Sequence, residues 1–143
     1  MYNLTKFKII KPANEVFEAF ADPEKIKNFW FSSSSRWEQG NTVKLRYDEY
    51  NAEVDIDVIE VQPNKKIMFR WGTEGEGNIV TISLEEVDPS ITIIEITEEG
   101  FKEDDNDLIS HLLDNKEGWV YMLTCLKGYL EFGINQLRGA IVK

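Results

Sequence analysis

Few residues in this chain can carry acid–base, nucleophilic or metal chemistry, because it holds one histidine, His111, and one cysteine, Cys125. A general base needs a positioned partner, and no Ser/His/Asp or Cys/His pairing follows from the spacing around either residue. His111 lies in an amphipathic stretch with Leu108, Leu112 and Leu113, which reads as a surface or helix-edge histidine. Cys125 sits beside aromatic residues on an apolar sector, where free cysteine behaves as a small hydrophobe. Nothing cationic is placed to activate it. Glu103, Asp104, Asp105 and Asp107 lack the glycine and terminal glutamate of a calcium loop, so they read as a solvated acidic loop. One His and one Cys leave only carboxylates as further ligands; neither a metal nor a cofactor is expected.

Binding chemistry has better candidates. Trp30, Trp71 and Trp119 fall on three separate elements, and ring faces suit flat apolar or aromatic ligands. Any one of them serves equally well as core filling. Glu98 shares a strand face with Ile94 and Ile96. Either that face turns outward at its end, the simpler reading, or Glu98 is a polar anchor at a pocket mouth. Gly128 interrupts a helical pattern at a cost of roughly 1 kcal/mol relative to Ala, and close packing between Tyr121 and Phe132 would explain it.

The elements that must position these residues follow from periodicity. Tyr2 to Ile10 reads as a first strand. Pro12 suits a first helical turn, and Val16, Phe17 and Phe20 share one helical face. Asp22 and Pro23 look like the N-cap and first position of a second short helix, which carries Ile26, Phe29 and Trp30. Ser32 to Ser35 form a polar loop. From Thr42 to Glu99 five strands alternate buried and wet residues, as in Val43, Leu45 and Tyr47 against Lys44, Arg46 and Asp48. Pro63-Asn64, the Gly72 to Gly77 stretch and Asp88-Pro89-Ser90 supply turns. A long helix is predicted from about Lys116 to Leu137. Trp119, Met122, Leu123, Leu126, Leu130, Gly133 and Leu137 share one arc of it. Tyr121, Cys125, Tyr129 and Phe132 form a second apolar sector, to be covered by the short helices, by the acidic loop or by a partner.

At 143 residues, with 42% hydrophobic and 29% charged residues, the chain suits one domain, residues 1–143, with a real core. Its net charge of −10 repels phosphate backbones and anionic lipid heads, so neither nucleic acid nor a membrane is an expected partner. The single cysteine, the lysines among the first apolar residues and the lack of a membrane-length apolar run point to the cytoplasm. The charge also opposes self-association, and a monomer or weak dimer is expected.

The order strand, two short helices, five strands, long helix is that of an α+β fold whose curved six-stranded antiparallel sheet wraps around a long C-terminal helix. The chain resembles the START-like (SRPBCC) superfamily of the helix-grip fold, and within it the homologues of the activator of the heat-shock-protein-90 ATPase. Carrying the resemblance are Pro12-Ala13-Asn14-Glu15-Val16-Phe17, Asp22-Pro23-Glu24, Phe29-Trp30, the run from Glu60 through Pro63-Asn64 to Trp71, Glu99-Gly100-Phe101, and Glu117-Gly118-Trp119. The resemblance implies a superfamily of lipid carriers, hormone receptors, cyclases and aromatases, and a polar residue, often histidine, at the position of Glu98. Such a fold does not fix function. The eukaryotic activator resembles this chain only in its C-terminal half; its chaperone-gripping domain has no counterpart here, so chaperone activation is not expected despite the family's name.

The expectation is therefore a binding protein for a small hydrophobic or aromatic ligand. Its cavity would be on the order of 300–1,000 Å³, lined by Trp30, Phe69, Trp71, Trp119, Leu123 and Leu126, with Glu98 at its mouth. One alternative is a cyclase- or aromatase-like enzyme using Glu98, Tyr47 or Arg70. Another is a co-chaperone-like interaction module working through the second helix sector.

Overall fold

The computed structural model describes residues 1–142. Strand β1 (Tyr2–Ile9) leads into helices α1 (Ala13–Ala21) and α2 (Pro23–Ile26). Strand β2 (Thr42–Tyr47), a 3-10 turn at Asp48–Tyr50, and strands β3 (Ala52–Gln62), β4 (Lys66–Trp71), β5 (Ile79–Asp88) and β6 (Ile91–Glu99) follow. Helix α3 (Leu108–Phe132) comes last. The strands form one antiparallel sheet in the order β1-β6-β5-β4-β3-β2, so the chain's first strand pairs with its last, Asn3 opposite Glu98.

Alternation decides which face is buried. In β6 the run Thr92, Ile94, Ile96, Glu98 points inward, each no more than 4% exposed. Glu98 stands opposite Val80 of β5, and Val80 opposite Phe69 of β4. Register shifts at Val58/Glu60 and Glu86/Asp88 bend β3 and β5, the local effect of a bulge. Helix α3 lies along β1 and covers an edge strand that would otherwise offer unpaired backbone. Asn3 donates to the Leu112 carbonyl at 2.9 Å, Lys127 donates to that of Lys8 at 3.0 Å, and the Ile10 N–H donates to Glu131 at 3.0 Å.

The short helices start where their caps suggest, but α2 ends at Ile26, so Phe29 and Trp30 lie in the turn beyond it and not on the helix as expected. Asp22 accepts from the Glu24 N–H at 2.9 Å, with Pro23 at the first position of α2. Pro12 stands one step outside α1, at its N-cap. Val16, Phe17 and Phe20 pack into the core with Ile26, Phe29 and Trp30. Trp37, which no sequence pattern singled out, is among the largest fully buried side chains at 1% exposure.

Helix α3 departs from expectation at both ends. It begins at Leu108 rather than near Lys116, because Leu108, Leu112 and Asn115 continue a half-buried face. It stops at Phe132 because Gly133 takes a left-handed φ of 69°, with its N–H on the Tyr129 carbonyl and the Ile134 N–H on that of Gly128. Such glycine stops are common. Leu137 is therefore not on the helix arc. It folds back onto Gly128, where an added Cβ would lie 2.7 Å from Leu137 Cδ1. That contact, and not packing between Tyr121 and Phe132, explains the glycine; Phe132 is 70% exposed.

The segment after Gly133 forms a strap over Tyr121 of the second helix sector and leaves Phe132 of that sector exposed. Tyr121 Oη donates to the Leu137 carbonyl and accepts from the Ala140 N–H. Tyr47 and Tyr50 accept from the Gly139 and Ile141 N–H groups, each at 3.1 Å. Arg138 donates to the Trp30 carbonyl at 2.8 Å and to Ser32 at 3.0 Å, pairs with Glu49 at 2.5 Å, and lies 4.7 Å from the centre of the Tyr47 ring. On the other side Tyr129 stacks on Phe29 at 6.1 Å. Of the covers expected, the short-helix region takes part, while the acidic loop's role falls to the C-terminal strap.

Candidate ligand-binding site

The inward face of β6 ends in a charged residue that does not turn outward. Glu98 is 4% exposed, which corrects the simpler expectation. Antiparallel register and helix packing bring three donors onto its carboxylate. Trp119 of α3 and Trp71 of β4 both donate their indole N–H to Oε1, at 3.1 and 3.2 Å. Asn78, whose carbonyl accepts from the Trp71 N–H at the mouth of the β4–β5 hairpin, donates its amide to Oε2 at 3.0 Å. Every partner is a donor, which matches an ionised carboxylate, an acceptor only.

Above this clamp lies a hollow of about 230 Å³ bounded by Trp30, Trp71, Glu98 and Trp119, with Asp114, Asn115 and Gly118 of α3 at its rim. The aromatic wall is continuous: Trp30 meets Trp119 edge to face at 5.5 Å, and Trp119 tilts against Trp71 at 6.4 Å. A second hollow of about 130 Å³ shares Trp30 and Gly118 and continues past Met122 to Tyr47, Tyr50, Tyr121 and Ile141 of the strap. Gly118 thus borders both, and a Cβ built there meets nothing within 4 Å.

Four of the seven residues expected to contact a ligand, Trp30, Trp71, Glu98 and Trp119, converge on the first hollow. The other three do not reach it. Phe69, Leu123 and Leu126 are each 0% exposed in the packed core, where Phe69 meets Trp37 edge to face at 5.3 Å. Being on the inward face placed them beneath the hollow, not around it. Asn78, Asn115 and Gly118 went unpredicted. Asn78 sits in turn sequence, and polar turn residues are ordinary; a glycine inside a helical run was the available signal for Gly118.

The other chemistry-bearing groups lie apart. Tyr47 borders the second hollow, where burial pushes its hydroxyl up to about 12. Arg70 alternates with Phe69 and Trp71 and so occupies the opposite sheet face. His111 is exposed at the N-terminal turn of α3, its Nδ1 2.6 Å from Asp105, whose hydrogen bond raises the imidazole pKa. Burial pushes the Cys125 thiol up, away from the thiolate. No group of three His, Cys, Asp or Glu among the described residues is placed to hold a metal.

An antiparallel six-stranded sheet curved against one long helix, with two short helices after its first strand, is the helix-grip architecture of START-like proteins. This chain belongs to the family described as Activator of Hsp90 ATPase homolog 1-like protein, whose model matches residues 11–131. It is 48% identical to the protein SSP2350 from Staphylococcus saprophyticus, over 94% of this chain and 95% of that one, with a TM-score of 0.82. DynU16, a protein of the dynemicin biosynthetic locus, is 22% identical with a TM-score of 0.80, over 94% of this chain and 48% of that one. The Aha1 dimer from Colwellia psychrerythraea is 20% identical with a TM-score of 0.77, over 93% of this chain and 98% of that one. The last two share the fold alone. No curated protein matches the chain. No helix among the described residues is long and apolar enough to cross a membrane.

Proposed function

We propose that this chain is a cytoplasmic binding protein for a small hydrophobic or aromatic molecule, held between the sheet and α3 at Trp30, Trp71, Glu98 and Trp119. One observation carries the proposal: two indole N–H groups from different elements converge on one buried carboxylate beside an aromatic hollow. Ligand sites typically pair apolar walls with a few placed polar groups. At about 230 Å³ the hollow falls below the roughly 300–1,000 Å³ of drug-sized sites, so the ligand is small. The net charge of −10 favours neither nucleic acid nor anionic membranes, and the protein acts as a monomer or weak dimer. Gly118→Leu tests the site, because its side chain projects into open space and fills the hollow without displacing core. Titration of small aromatic molecules, followed by tryptophan fluorescence, should show binding to the parent protein and about tenfold weaker binding to the variant. Equal affinity in a folded variant would place the ligand elsewhere.

A further inference from the structure

The hollow's floor is the Glu98 carboxyl group, which has no ion-pair partner among the described residues. Its three partners, two indoles and one amide, are neutral. A buried carboxylate is ordinarily paired with a cation or a metal, and neutral donors satisfy its lone pairs without cancelling its charge. Of about four acceptor positions on a carboxylate, two on Oε1 and one on Oε2 are taken, leaving one on Oε2. Trp30, Trp71 and Trp119 line the hollow that Glu98 enters, and the rim adds the Asp114 carboxylate. Tryptophan is the best aromatic partner for a cation, and the interaction strengthens as water is removed.

We propose that the hollow binds a small organic primary ammonium, its N–H donating to the open position on Glu98 and its apolar portion lying against the tryptophans. This rests on the hollow being a ligand site, and adds the sign of the ligand's charge. At a water's share of about 30 Å³, 230 Å³ holds about eight heavy atoms, the size of benzylamine. A metal ion fits less well, since no group of three His, Cys, Asp or Glu among the described residues is placed to hold one.

The test compares benzylammonium with benzyl alcohol at neutral pH by calorimetry. The two have the same shape and each can donate to Glu98; only one is charged. The ammonium should bind the parent protein at least about tenfold more tightly, and Glu98→Gln should bring the two within about twofold of each other. Equal affinities in the parent protein would overturn the proposal while leaving a neutral-ligand site intact, and this arm needs no variant to fold. A preference that survives in Glu98→Gln would show that the charge is read elsewhere and would overturn it too. If neither compound binds but larger apolar molecules do, the ammonium is wrong and the pocket stands. If nothing binds, both are wrong.

Discussion

At the scale of single residues, Glu98 is the costliest choice in the core. An aliphatic residue there would continue the run of Ile94 and Ile96 and would avoid desolvating a carboxylate. The structure compensates with three hydrogen bonds, and those bonds fix the rotamers of Trp71 and Trp119. Removing the acceptor leaves the Trp119 indole with a buried unpaired donor, at about 1–3 kcal/mol, and leaves Trp71 and Asn78 with half-buried donors that water can partly satisfy. Glu98→Leu regains some apolar burial, so its net destabilisation in urea unfolding should be about 2 kcal/mol. A variant as stable as the parent would mean that the indoles find other partners. Gln retains an acceptor, and Glu98→Gln should unfold closer to the parent.

At the scale of elements, α3 carries two separable features. Gly118 is a mid-helix glycine whose Cβ would meet nothing, so nothing in the packing requires it. Gly118→Ala should therefore stabilise the protein by about 1 kcal/mol, the helix-propensity difference, measured as a higher denaturation midpoint. No gain would mean that the turn around Gly118 is held open by more than its sequence. The first turn of α3 depends on pH through His111 and Asp105. Asp105 is lowered by the Asp107 N–H and by His111, and His111 is raised by Asp105. A raised histidine contributes stability below its ordinary value of 6.5 and loses it as pH rises through the higher folded value. A lowered aspartate contributes above its ordinary 3.8 and loses it as pH falls. The pair thus supports the turn best between those two values, and weakly, since His111 is exposed and Asp105 only half-buried. In His111→Gln, amide exchange near residues 108–111 should lose its acceleration as pH rises above 6.5, after correction for intrinsic rates. An unchanged pH profile would remove the pair from any role in that turn.

At the scale of the whole molecule, the C-terminal strap ties together β2, the 3-10 turn and α3, which sequence separates by up to about ninety positions. Arg138 is its main fastener, reaching Trp30, Ser32, Glu49 and Tyr47. Arg138→Ala should cost about 2 kcal/mol, between one and two hydrogen bonds to a charged group, with part of the loss offset because Glu49 is partly exposed. The same variant should speed the reaction of Cys125 with a thiol reagent. That residue is 1% exposed and its thiol is pushed up by burial, so its reactivity reports on opening of the strap. Unchanged reactivity in a destabilised variant would mean that the strap does not guard it.

Strand alternation, the Asp22-Pro23 cap and the apolar arc of α3 are local patterns. They establish the element order and the antiparallel helix-grip class, because period and turn chemistry act over a few residues. They also mark Trp30, Trp71, Glu98 and Trp119 as candidates. Three matters depend on contacts between distant residues, and only the tertiary structure decides them. The inward orientation of Glu98 needs Trp71, Asn78 and Trp119 to arrive together, and alternation alone does not distinguish a buried anchor from a strand end turning to solvent. The exclusion of Phe69, Leu123 and Leu126 from the hollow follows from how closely helix and sheet approach, which periodicity does not encode. The end of α3 at Gly133 and the return of Leu137 onto Gly128 convert an apparent last helical turn into the strap, because a glycine admits a left-handed φ that the apolar spacing around it conceals.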